Sequence, residues 1–154
     1  MTIRFSAAGV LVLFALASPA AQPQPAPHAA AHHEFVIDNF RTESGAVLPK
    51  ARIVYGTYGT LNAARDNAVL LPSHYMANHH GYDWLIAGQG AAGQASEARA
   101  LDPTKLFLIA TELFGNGQSS SPSNTPEPFH GPRFPVMTIR DNVEAVHRLL
   151  ADEL

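Results

Sequence analysis

The sequence of 154 residues contains no cysteine. That excludes a disulfide-stapled scaffold, an iron–sulfur cluster, a thiolate zinc site and a cysteine nucleophile. Charge is scarce, at 15% of residues, and neither sign prevails: ten basic against thirteen acidic side chains give a formal net charge of -3. A nucleic-acid binder that works through bulk positive charge is therefore excluded. The apolar stretch Ala7 to Leu16 is shorter than the roughly 20 residues a membrane-spanning helix requires. What the chain has instead is 46% hydrophobic residues, enough for a packed core. Twelve prolines and eleven glycines assign much of the rest to turns and loops. The length suits one domain around one core.

Residues 1–21 read as an export signal. Arg4 supplies the leading charge, Ala7 to Leu16 the short apolar segment, and Ala15-Leu16-Ala17 and Pro19-Ala20-Ala21 the small residues of a cleavage site. An uncleaved anchor or a misassigned start is the competing reading. Cleavage leaves a periplasmic or secreted protein with no membrane segment. Residues 22–33 form a Pro/Ala/His-rich linker, because alternating prolines deny a helix its amide donors. His28, His32 and His33 lack the carboxylate or thiolate partners of a defined metal site, so no metal is assigned to them.

The folded part is expected over residues 34–154. Phe35-Val36-Ile37 with Phe40 predicts a short first strand, and Glu43-Ser44-Gly45 a turn. In the second strand, Ala51 to Gly59, the residues Ile53, Tyr55 and Thr57 alternate with Arg52, Val54 and Gly56, which predicts a sheet edge with one wetter face. Ala68-Val69-Leu70-Leu71 and Leu106-Phe107-Leu108-Ile109-Ala110 are unbroken apolar runs, the pattern of central strands covered on both faces. The residues between these runs leave room for a helical crossover, which joins parallel neighbours. Thr138 with Asp141 three residues on marks a helix start, and Ile139, Val143, Val146, Leu149 and Leu150 then share one face. The closing Asp152-Glu153-Leu154 lacks a glycine cap and sets acidic groups against the helix dipole, which predicts an element cut short.

Several of these residues carry a resemblance. Tyr55-Gly56-Thr57-Tyr58-Gly59-Thr60-Leu61-Asn62, Asp66-Asn67-Ala68-Val69, Ser73-His74, Gly88-Gln89-Gly90 and Leu101-Asp102-Pro103-Thr104-Lys105 occur in order. Gly115-Asn116-Gly117-Gln118-Ser119-Ser120-Ser121-Pro122 and Phe134-Pro135-Val136-Met137-Thr138-Ile139-Arg140-Asp141-Asn142-Val143 follow. The ordered set resembles the amino-terminal part of the homoserine O-acetyltransferase-like family of the α/β-hydrolase fold. It implies an α/β architecture: the amino-terminal portion of that fold, with a mixed, mostly parallel sheet and flanking helices, truncated before the nucleophile elbow. The elbow motif Gly-x-Ser-x-Gly does not occur in these residues. No catalytic serine, acid or histidine of the triad is assigned, and Ser119 to Ser121 are expected to hydrogen-bond a turn.

The resemblance implies one contribution to chemistry. The loop after the third strand, Ser73-His74-Tyr75-Met76, would supply a backbone N–H of an oxyanion hole, with Met76 as the donor and Tyr75 beside it. The family more often carries alanine, leucine and threonine after this histidine, so Tyr75-Met76-Ala77 departs from the pattern where acyl-group shape is read. His74, His79 and Asp83 offer three ligating groups, but Asn78-His79-His80-Gly81 reads as a loop tip and no metal is assigned to them. Glu112 is expected to order the Gly-x-Gly loop that follows it, and Tyr82 and Trp84 to pack. No cofactor and no nucleic acid is implied; the partner would be a small acyl substrate once the missing part of the site is supplied. The third strand's unpaired edge predicts self-association.

Two functional classes follow. One is serine-dependent acyl transfer, as acetyltransferase or esterase, if joined to a carboxyl-terminal half. The other is a non-catalytic chain that keeps the front of the fold and is inactive alone. Export argues against acetyl transfer, because acetyl-CoA is an intracellular donor, and for hydrolysis, because water is available as acceptor. A His-rich metal-binding envelope protein is a distant third reading.

Overall fold

The computed structural model describes residues 30–86 and 100–154. The expected export signal, most of the expected linker, Gly88-Gln89-Gly90 and the middle of the crossover lie outside the described residues. The rest builds one four-stranded mixed sheet in the order β1-β2-β4-β3. Strand β1 is Ala31–Arg41 and β2 is Val47–Tyr58, an antiparallel pair in register from Ala31 opposite Thr57 to Arg41 opposite Val47. Strand β3 is Ala68–Pro72 and β4 is Phe107–Thr111. These two run parallel, as a crossover connection requires, while β2 and β4 are antiparallel.

Three expectations are corrected here. Strand β1 opens at Ala31, so His32 and His33 belong to the sheet rather than to the linker. They pair with Gly56 and Tyr55 of β2, and His33 adds a hydrogen bond of 2.9 Å to the Thr57 hydroxyl and a stacked contact with Tyr55. Strand β2 is interior, not an edge, and Ile53, Val54, Tyr55 and Gly56 are all buried. Beyond the reach of β4 its outer side is hydrogen-bonded by the loop after β4. The N–H groups of Glu112 and Ser120 donate to the carbonyls of Val54 and Arg52, both at 2.9 Å. The hydroxyls of Ser119 and Ser120 accept from the N–H groups of Val54 and Arg52 at 3.0 and 2.9 Å. The serines thus stand in for a strand.

The third correction concerns the cover expected on both faces of β3. The strand has Ala68, Leu70 and Pro72 exposed and Val69 and Leu71 half-buried, and among the described residues it lies at the sheet edge, the open edge already read from the sequence. Its apolar run reflects a demand for cover, which the described residues meet on one side only.

Helix α1 is a single turn, Asp83–Ile86, and α2 is Ile139–Arg148, continued by a π-helical turn over Leu149–Glu153. The start of α2 is as read from sequence. The Thr138 hydroxyl accepts from Asp141 N–H at 3.2 Å, and the Asp141 carboxylate accepts from Thr138 N–H at 2.9 Å. Such reciprocal caps are worth about 0.5–2 kcal/mol. Asp141 also accepts from Glu43 N–H at 2.7 Å, which ties α2 to the β1–β2 turn.

On one face of the sheet Phe40, Leu48, Ile53 and Ile109 pack against Ala145 and Leu149 of α2. On the other, Tyr58, Leu108 and Ala110 pack with Ile86. Gly59 closes β2 at φ +76°, where a Cβ would lie 2.3 Å from the Leu106 carbonyl oxygen and 2.4 Å from that of Pro103. Only glycine fits there.

Candidate functional site

Parallel strands deliver their loops to the same end of a sheet, and in α/β folds ligands bind beyond that carboxyl end. Here the loops after β3 and β4 enclose a cleft of ≈ 560 Å³, lined by residues 73–78 from the first and Glu112 to Asn116 with Gln118 from the second. The first loop leaves β3 with Ser73 N–H donating to the Thr111 carbonyl at 2.8 Å, then turns sharply, with Ala77 N–H on the His74 carbonyl at 3.0 Å. Met76, third in that turn, has φ +60°. This is the left-handed region, which glycine or asparagine usually fills in a turn. A methionine held there is strained, and such strain concentrates at functional sites.

Tyr75 and Met76 are each 91% exposed on the wall of the cleft. Among the described residues neither backbone N–H has an acceptor. The turn leaves both amides available on the cleft side. His74 is engaged locally, with Nδ1 3.2 Å from the Tyr75 carbonyl oxygen and its ring edge-on to Tyr82.

Behind this wall lies a buried polar cluster. Glu112 is fully buried, yet its carboxylate bonds in two directions. Oε1 accepts from His79 N–H at 2.8 Å and pairs with His79 Nδ1 at 2.7 Å. Oε2 accepts from the Asn116 side-chain amide. The Asn116 side-chain carbonyl oxygen in turn accepts from Gln118 and Ser119 N–H at 3.0 and 3.3 Å, which shapes the Gly-x-Gly loop. Asn142 of α2 fixes the intervening Phe114 N–H at 2.7 Å. Tyr58 donates to Asp83, whose other oxygen lies 3.1 Å from His80 Nδ1. Burial, with the Asp83 hydrogen bond second, pushes the Tyr58 hydroxyl well above the ordinary phenol range.

His79 corrects the loop-tip expectation: its side chain is buried, 7% exposed, against Glu112. The signal available in sequence was a carboxylate ending an apolar strand, since a buried charge needs a partner. Nothing local pointed to which residue that partner would be. His74, His79 and Asp83 are not brought together on one centre. Each faces a different partner, and among the described residues no three ligating side chains are grouped for a metal. Ser119 to Ser121 are buried, and the first two serve β2 as described. Trp84, expected to pack, is 59% exposed.

No family model matches the chain. Individual relatives do. It is 36% identical over 110 residues to an ethyl acetate hydrolase of Pseudomonas veronii, which covers 71% of this chain and 29% of that protein. It is 33% identical over 123 residues to a homoserine O-acetyltransferase of Chlorobium luteolum, covering 77% of this chain and 32% of the relative. Among solved structures, an acetylester hydrolase from Corynebacterium glutamicum superposes with a TM-score of 0.71 at 33% identity, over 80% of this chain and 34% of that one. The chain spans about a third of the length of these relatives.

Proposed function

Since the chain belongs to the homoserine O-acetyltransferase-like family of α/β-hydrolase-fold proteins, of which its residues match about a third, we propose that this segment forms the oxyanion side of an acyl-transfer site. Acyl transfer to a serine passes through a tetrahedral intermediate whose oxygen carries negative charge. Fixed N–H donors aimed at that oxygen stabilise it. The Met76 N–H would be one such donor, with Tyr75 beside it, and Tyr75 and Met76 would border the acyl group. The observation that carries this reading is the strained turn at the mouth of the cleft, which leaves an unbonded amide exposed beyond the carboxyl ends of β3 and β4.

The nucleophile is a separate matter. Gly-x-Ser-x-Gly does not occur among the 154 residues, so a serine, its histidine and its acid would come from further polypeptide. The 154 residues by themselves should then turn over no ester, because losing the nucleophile typically costs about 10⁶ in kcat. Purified protein assayed on p-nitrophenyl acetate tests this. Saturable turnover abolished by a serine-directed phosphonate would overturn it.

Hydrolysis is preferred to acetyl transfer, because residues 1–21 have the pattern of a cleaved export signal and water is the abundant acceptor outside the cytoplasm. The exported form should begin between Ser18 and Gln22. Intact-mass measurement of envelope material checks this, and retention of Met1 would contradict export by cleavage.

A further inference from the structure

Resting on the oxyanion reading above, we propose that His79 and Glu112 are positioning residues: a buried clamp that couples the loop carrying Met76 to the loop after β4. The connection is continuous. Glu112 Oε1 holds both the N–H and the ring of His79, three residues beyond Met76, and Oε2 holds Asn116 across the cleft. One carboxylate therefore fixes both walls.

The site is shaped for that imidazole. A Cβ on Gly56 of β2 would lie 2.7 Å from His79 Cδ2, so β2 leaves the space the ring fills. His32 of β1 and His80 pack against it with ring centroids at 5.3 and 4.2 Å. The same loop holds Met76 in the left-handed region, and a conformation of that kind persists only where its surroundings over-determine it. The anchors of this loop include Ser73 N–H on β4, Ala77 N–H on the His74 carbonyl, the His74 contacts, the Tyr58 hydroxyl on the His79 carbonyl and the clamp.

A catalytic role does not suit the pair. His79 Nε2 is buried with no partner among the described residues, so it has no outlet to a substrate there, and Glu112 is spent on three donors. What the geometry offers is rigidity on both sides of a reacting group, the condition under which an oxyanion donor is effective.

The test uses backbone amide resonances of the whole 154-residue chain. His79→Leu removes the ring donor. It should shift the Tyr75 and Met76 cross-peaks and those of Gly115 to Gln118 together, with loss of exchange protection at His79 N–H. His79→Asn places an amide donor near the position of Nδ1 and should return both sets towards wild type, which a role in filling space alone would not do. Asn116→Leu breaks the far arm, together with the bonds from Gln118 and Ser119 N–H, and leaves His79 in place; it should still move Met76, and it decides the matter if His79→Leu does not fold. Unmoved Tyr75 and Met76 resonances in a folded His79→Leu or Asn116→Leu protein, or failure of asparagine to restore them, would overturn the clamp. The readout is amide position rather than turnover, so its failure would leave the oxyanion reading standing. Conversely, a Met76 N–H that proves idle in catalysis would leave the coupling intact.

Discussion

Tyr58 is held protonated by burial first and by the hydrogen bond it donates to Asp83 second. In the unfolded chain a tyrosine ionises near about pH 10. The folded value lies higher, so folding is favoured fully below about pH 10 and loses that support as pH rises towards the folded value. Tyr58→Phe should therefore flatten the fall in urea-unfolding stability between about pH 8 and about pH 11. It should also cost about 1–3 kcal/mol at the lower pH, through the lost bond to a carboxylate. Parallel pH profiles for the two proteins would contradict this. At this scale the sequence was unevenly informative. Thr138 and Asp141 could be read as a cap because both partners lie within one turn. Glu112 could be read as structural, but its partner His79 could not, because 33 residues separate them and only the β3–β4 pairing brings them together.

Among the elements, α2 and the parallel β3–β4 pair follow from local periodicity and connection length, whereas the position of β2 does not. Its alternation suggests an edge, yet serines of a distant loop complete its hydrogen bonding. The apolar face read into α2 is divided in the structure: Val146 and Leu149 are buried, while Ile139 and Val143 are 84% and 63% exposed. Ile139, Val143 and Leu150 line an apolar groove with Leu70 and Pro72 of β3, beside that strand's edge, which is unpaired among the described residues. An open strand edge next to apolar surface is a template for pairing with another chain. Each such side chain gains about 1.5–3 kcal/mol when fully buried. Self-association is the expected outcome at raised protein concentration. Sedimentation velocity should show it, and Leu70→Lys combined with Val143→Glu should return the protein to monomer. A wild-type chain monomeric throughout the concentration range would contradict the expectation.

At the scale of the whole molecule, the described sheet is the opening of an α/β-hydrolase fold: an antiparallel β1–β2 pair, then a β3–β4 pair whose parallel ends form a cleft. The family was legible because its motifs sit at strand ends and turns, where glycine, proline and asparagine are fixed by backbone geometry; Gly59 is the clearest case. The cleft itself was less legible, since its depth arises from two loops that meet only after the sheet has formed. The proposed role of the Met76 N–H as an oxyanion donor is tested most directly in a chimera. Residues 31–154 would replace the matching segment of the Corynebacterium glutamicum acetylester hydrolase, which supplies the rest of the fold. A backbone ester in place of the amide at position 76 would then remove the N–H and leave the side chain. The prediction is that kcat on a small acetyl ester falls by about 10²–10³ with KM little changed. An unaltered kcat in that ester-backbone chimera would contradict it.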